Sequence, residues 1–194
     1  NYYPLLLMEN NSKKMLIKKT NIDVNKINMP GVMFIDTPGH KAFENLRLTG
    51  SQICDIAIVV VDMFHGLQVQ TINSMQMLKD NNIPFVVALN KIDRLYGWKK
   101  TDCDIQNSFN MQDDNVLSEF DTKYKQIMVQ IMEQGFNVKL CYELKDEDTI
   151  EDELLMCPIS AITGEGVSDL LKNIINYSQK YLNNKIMIND KFKC

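Results

Sequence analysis

Four short apolar runs stand out along the chain: residues 31–36 (GVMFID), 56–62 (IAIVVVD), 83–89 (IPFVVAL) and 154–160 (LLMCPIS). Each is nearly continuous in apolar residues and ends on a polar or small one. That is the pattern of strands covered on both faces of a parallel sheet. A further run, 15–24, alternates poorly and is rich in lysine, which suits an exposed edge strand. Helical periodicity fills the intervals. Residues 71–79 carry Ile72, Met75 and Leu78 on one face, and 169–182 carry a stripe through Leu170, Leu171, Ile174, Ile175, Tyr177 and Leu182. The strongest helix is 116–134, where Leu117, Phe120, Tyr124, Ile127, Ile131 and Met132 recur at helical spacing and Gly135 supplies the stop. Strands alternating with helices predict an α/β fold with a doubly wound, mostly parallel sheet flanked by helices and joined by right-handed crossovers. In such folds a ligand sits where loops leave the carboxyl ends of the strands.

Residues 101–115 are polar and rich in Asn, Asp and Gln, and read as a loop. The acidic stretch 145–153 reads as a solvated connector. Residues 183–194 lose helical periodicity and read as a connector toward a following domain, which leaves 1–182 as one domain.

Composition narrows the classes. Hydrophobic residues make up 45% and charged residues 24%, enough apolar content to bury a core. A net charge of −4 argues against holding RNA by bulk electrostatics, so any contact with nucleic acid must be local. The five cysteines, Cys54, Cys103, Cys141, Cys157 and Cys194, are scattered without a CxxC pair, which fits neither a zinc site nor a disulfide framework and points to a reducing compartment. No apolar run reaches membrane-spanning length, and the start lacks signal-peptide character. A cytoplasmic location without membrane contact is expected. Asn1 in place of Met suggests a piece of something longer.

Three motifs follow three of the apolar runs. The first is Asp36-Thr37-Pro38-Gly39-His40. A carboxylate at a strand end can hold Mg²⁺ through water, because that ion keeps most of its hydration shell. Pro38 stiffens the turn, and Gly39 lets a backbone N–H approach a phosphate oxygen. Taken alone, the segment is also an ordinary strand-to-loop turn. The second is Asn90-Lys91-Ile92-Asp93. Guanine offers N1–H and N2–H₂ as neighbouring donors, and one carboxylate, Asp93, accepts both. Asn90 would read the O6/N7 side and brace the loop, while the aliphatic stem of Lys91 lies along the base. The third is Ser160-Ala161-Ile162-Thr163-Gly164, where the backbone N–H of Ala161 would meet guanine O6. Isolated, the second and third motifs arise easily by chance. Their order and context decide the matter, for DTPG, NKID and SA in succession after buried strands are the third, fourth and fifth nucleotide-binding motifs of guanine-nucleotide-binding proteins.

The phosphate loop, GxxxxGK[ST], has no counterpart, since none of the eight glycines is followed by Lys. A circular permutation would place NKxD before the phosphate loop and DxxG after it. With DTPG first and no such loop after SA, a P-loop GTPase fold truncated at its N-terminus, with switch I also missing, is the better account.

Finer features resemble one family. His40 directly after DTPG is similar to the translational GTPases. The stretch from Asp36 to Arg47 (DTPGHKAFENLR), the His65-Gly66-Leu67 turn, and Arg94-Leu95-Tyr96-Gly97-Trp98-Lys99 after NKID resemble the eukaryotic initiation factor 5B family, as do Glu133-Gln134-Gly135-Phe136-Asn137 and residues 160–171 (SAITGEGVSDLL). Bacterial initiation factor 2 shares DTPGH and NKID but lacks the RLYGWK continuation. The resemblance implies that the intact protein binds GTP or GDP with Mg²⁺, promotes joining of the ribosomal subunits, and hydrolyses GTP on the ribosome. Asp36 would be the water-mediated Mg²⁺ partner, Gly39 the γ-phosphate sensor, and His40 the catalytic residue that positions the attacking water. Expected partners are both ribosomal subunits, with ribosomal RNA near the factor-binding centre, and other initiation factors; the protein itself is expected to be a monomer. The alternatives are an inactive ribosome- or protein-binding module that retains only the guanine-base site, and a guanine-nucleotide switch outside translation. His65 reads as a plain loop histidine.

Overall fold

The computed structural model describes residues 6–7, 31–32, 34–36, 54–143 and 153–181. Within them, side-chain alternation along the strands decides the architecture. β3 (Ala57–Asp62), β4 (Phe85–Asn90), β5 (Val138–Leu140) and β6 (Leu154–Ile159) form one sheet in the order β3-β4-β6-β5, every pairing parallel. A separate antiparallel pair joins β1 (Leu6–Leu7) to β2 (Gly31–Val32). Successive side chains of a strand point to opposite faces. On β4, Val87 and Leu89 therefore enter one core while Val86 and Ala88 enter another. β6 divides the same way, Leu154 and Met156 against Leu155, Cys157 and Ile159. A strand buried on both faces has no polar side to show, which is why these segments read as continuous apolar runs.

The first core is closed by α1 (Val69–Asp80) through Met75 and Leu78, by α2 (Ile105–Asn110) through Ile105 and Phe109, and by α3 (Asp114–Glu133) through Val116, Phe120, Ile127 and Ile131. The second is closed by α4 (Val167–Tyr181) through Leu170 and Ile174. Helices on both faces of a parallel sheet make the doubly wound α/β fold expected from the sequence. Fully burying each of these Val, Leu, Ile or Phe side chains is worth about 1.5–3 kcal/mol, so the two faces carry most of the driving force. Phe109 adds ring contacts to Trp98, Phe120 and Tyr142, with centroids 4.4–5.9 Å apart, and ties the α2–α3 corner to the sheet.

The three expected helices each begin two residues before their periodic segments, at Val69, Asp114 and Val167. α3 ends where Gly135 adopts φ +79°, a left-handed conformation that favours glycine. The reading of 101–115 as a loop is corrected. Residues 105–110 are helical because Ile105, Ser108 and Phe109 share one buried face and the Asp104 side chain accepts the Asn107 N–H at 2.9 Å as an N-cap. The edge strand β5, three residues long, also escaped the pattern. The expected edge strand at 15–24, the connector at 183–194 and nearly all of the acidic connector at 145–153 lie outside the described residues. No described helix is long and apolar enough to cross a membrane.

Candidate functional site

The parallel register sets Asp62, Asn90 and Ile159 in one row at the carboxyl ends of β3, β4 and β6, and the loops that leave β4 and β6 carry the predicted NKID and SA residues. Asn90 ends β4, and its Oδ1 accepts the backbone N–H of Lys91 at 2.8 Å and that of Ala161 at 3.0 Å. One side chain thus clamps the NKID turn to the SA loop, the bracing role expected of it. The Ala161 N–H, read from sequence as a donor to a base oxygen, is engaged by Asn90 here. A ligand oxygen at that point would share this donor.

Lys91 takes φ +77°, a strained conformation for a residue with a Cβ, and leads into a single 3₁₀ turn, Ile92–Arg94. The turn is anchored by Ile92, which is fully buried, and it carries Asp93. Asp93 Oδ1 is buried and accepts no hydrogen bond from any described residue. Ser160 is fully buried, and its Oγ accepts the N–H of Thr163 at 3.1 Å, curling the loop after β6. Ala161 and Ile162 lie on the exposed side of that loop, Ile162 being 83% exposed. Asp36 is exposed, two residues beyond the half-buried Phe34. Thr37, Pro38, Gly39 and His40 lie outside the described residues.

Three residues in contact with these loops escaped the sequence reading. Asp62 accepts hydrogen bonds from the Lys91 ammonium, from Nδ1 of His65 at 2.8 Å and from the Phe64 N–H at 2.9 Å. Partial burial pulls its carboxyl upward. The bonds from Lys91, Phe64 and His65 outweigh that and lower it to about 2. Lys91 is therefore tethered by its charged end to the carboxyl end of β3. His65, read as a plain loop residue, is part of the same cluster. Glu165, 3% exposed, is the third: its carboxylate meets Trp98, Thr101 and Thr163. The available signals were an acid at the end of a strand parallel to NKID, and an acid between two glycines in Gly164-Glu165-Gly166.

The comparisons agree with this geometry. The family described as "Elongation factor Tu GTP binding domain" matches residues 8–180. Eukaryotic translation initiation factor 5B from Homo sapiens is 44% identical over 177 residues, 91% of this chain and 14% of that protein. The Saccharomyces cerevisiae protein of the same name is 42% identical over 188 residues, 96% of this chain and 18% of its own length. A probable translation initiation factor IF-2 from Sulfolobus acidocaldarius is 41% identical over 162 residues, 83% of this chain and 26% of that protein. Among solved structures, GDP-bound aIF5B from Aeropyrum pernix superposes with a TM-score of 0.75 at 32% identity, covering 86% of this chain and 27% of that one. The chain therefore spans between about a seventh and about a quarter of the relatives it matches. Together with the NKID and SA loops meeting at the carboxyl ends of a parallel sheet, these matches show that the chain belongs to the family of elongation factor Tu-type GTP-binding domains.

Proposed function

We propose that this chain supplies the guanine-reading part of a translational GTPase of the initiation factor 5B kind, which converts GTP to GDP and phosphate on the ribosome. The observation that carries the reading is the buried Asp93 Oδ1, three residues beyond Asn90, which no described residue satisfies. Leaving such an acceptor without a donor costs about 1–3 kcal/mol, and more when it is charged. Guanine N1–H and N2–H₂ are adjacent donors that one carboxylate can accept together, with charge-assisted bonds of about 1.5–3 kcal/mol each. Adenine presents neither in that arrangement. The Asn90 amide group would face the O6/N7 side, the Ala161 N–H would be shared with O6, and the Lys91 stem would cover the base while Asp62 holds its ammonium. Ser160 supports this loop from beneath and Ile162 borders it.

Asp36, a single exposed carboxylate, suits an ion that keeps most of its water, and would hold Mg²⁺ through that shell. When bound, the ion would neutralise charge on the phosphates. Thr37, Pro38 and Gly39 would line the phosphate side, and His40 would position the attacking water. Similarity to initiation factor 5B over most of the chain supports a role in joining ribosomal subunits, with the ribosome and other initiation factors as partners in the cytoplasm.

Base exchange in the full-length protein tests the proposal. Asp93→Asn places a donor where guanine needs an acceptor, so GDP should bind at least about 10²-fold more weakly while XDP, whose C2 carbonyl accepts, gains. A variant that binds both nucleotides as the unaltered protein does would remove Asp93 from the base site.

A further inference from the structure

The two loops that meet at Asn90 are joined a second time, deeper in the molecule, by one carboxylate. Glu165 lies between Gly164 and Gly166 at the end of the SA loop and is 3% exposed. Its Oε1 accepts the Thr101 N–H at 2.8 Å and the Thr101 hydroxyl at 3.4 Å; its Oε2 accepts the Thr163 hydroxyl at 2.6 Å. The Trp98 indole N–H lies 3.3 Å from both oxygens. No salt bridge to Glu165 occurs among the described residues, so neutral donors alone satisfy this buried carboxyl group. Such an arrangement holds only while the donors stay in place.

Each donor belongs to a loop involved in base reading or to its direct continuation. Trp98 and Thr101 follow the 3₁₀ turn that carries Asp93, linked to it through Leu95, whose N–H meets the Ile92 carbonyl and whose carbonyl accepts the Trp98 N–H. Thr163 belongs to the loop that presents Ala161. The Glu165 backbone joins the same loop, its carbonyl accepting the Ser160 N–H at 2.9 Å. Behind it, Gly166 has φ +71°, and a Cβ there would lie 2.1 Å from the Pro158 carbonyl oxygen. The backbone that carries this carboxylate is therefore packed closely against β6. The carboxylate fixes the distance between the turn that holds Asp93 and the loop that holds Ala161.

Resting on the base-site reading above, we propose that Glu165 is a positioning residue for guanine recognition. It does not touch the nucleotide. It holds the Asp93 acceptor and the Ala161 donor at the spacing of one guanine edge, and so sets the preference for guanine over adenine. A residue that only stabilised the fold would leave that preference unchanged.

The test uses the full-length protein and competition of GDP and ADP against a fluorescent guanine nucleotide. In Glu165→Gln, an amide N–H₂ faces donors that need an acceptor, so the GDP-over-ADP preference should fall about tenfold or more, the loss of roughly one well-aligned bond. Trp98→Phe keeps the ring and deletes one donor; its preference should fall in the same direction by a smaller factor, even if the glutamine variant does not fold. A preference unchanged in Trp98→Phe and in any folded Glu165→Gln protein would overturn the proposal while leaving the base site intact. If the unaltered protein itself showed no preference for GDP over ADP, the base-site reading would fall first.

Discussion

Asn90 and Ala161 are 71 residues apart in sequence, yet the Asn90 carboxamide oxygen accepts the Ala161 backbone N–H at 3.0 Å. The contact is possible because β4 and β6 are paired in parallel with Asn90 opposite Ile159, so the loop after β6 begins beside the end of β4. The same oxygen also takes the Lys91 N–H and thereby stabilises the left-handed backbone of that residue. The proposed base site, assembled from these two loops, would depend on this bond for its shape before any nucleotide arrives.

Asn90→Ala should therefore act twice. It removes the acceptor for two N–H groups, of which the Ala161 one can turn to water, so stability should fall by only about 1 kcal/mol. GDP affinity should fall further, about tenfold or more, because the loops lose their alignment as well as a polar contact to the base. Urea denaturation and nucleotide titration on the same protein separate the two effects. A stability loss with unchanged affinity would confine Asn90 to the scaffold.

Asp62 sets a pH dependence on the acid side. Its folded carboxyl lies at about 2 against an ordinary 3.8, the bonds from Lys91, Phe64 and His65 overcoming burial. A depressed carboxylate contributes stability above its unfolded value and loses it as pH falls through the folded one. The window is therefore about pH 4 down to about pH 2. Asp62→Asn should cost about 1–2 kcal/mol at neutral pH, allowing for its partial exposure, and should flatten the acid limb. Denaturation midpoints at pH 2.5, 4 and 7 provide the check.

β3, β4 and β6 were legible because parallel strands buried on two faces leave no polar positions to confuse the pattern. Val86 to Leu89 is the plainest case. The run at 31–36, read as a fourth such strand, instead pairs antiparallel with β1 outside that sheet. NKID and SA were legible because strand ends and short-range motifs coincide. Less was visible in 101–115, where three inward residues of α2 are diluted by Asn, Gln and Asp that face water or cap the helix. Glu165 was out of reach for a different reason. Its role depends on donors more than sixty residues away, at Trp98 and Thr101, and no local pattern encodes such a meeting. Asp62 was hidden in the same way, since its value to Lys91 follows from the β3–β4 register.

His40 supplies a kinetic expectation. It directly follows Gly39 of DTPG, the position that family resemblance gives to a water-orienting histidine. In the full-length protein, His40→Ala should leave GTP affinity within about twofold, while ribosome-stimulated hydrolysis drops by about 10²–10⁴. Subunit joining, which needs only the bound triphosphate, should persist. Single-turnover hydrolysis with and without ribosomes decides the point. Equal loss in both conditions would indicate a folding defect, and no loss in either would leave His40 a surface residue.

Asp169 is expected to oppose Asp62 in the pH profile. It sits in the first turn of α4, and its Oδ2 accepts the Ile105 N–H at 3.1 Å, so it meets the start of α2 together with Asp104, the N-cap of that helix. Burial is the main reason its carboxyl is raised to about 6. The nearby Asp104 charge adds to the rise, while the Ile105 bond and Lys172 oppose it. Here the folded value lies above the unfolded one, so between about pH 4 and about pH 6 the native state binds more protons than the unfolded chain. Stability must then fall as pH rises through that window and stay lower above it. Asp169→Asn keeps an acceptor for Ile105 and removes the charge, so it should gain about 1 kcal/mol at pH 7, discounted for partial exposure, and nothing at pH 4. Asp169→Ala also deletes the acceptor and should forfeit that gain. Urea midpoints of the three proteins at pH 4, 5 and 7 distinguish the cases. A wild-type midpoint that rises steadily from pH 4 to 7, with Asp169→Asn running parallel to it, would show that this carboxylate is ionised at no cost in the folded chain.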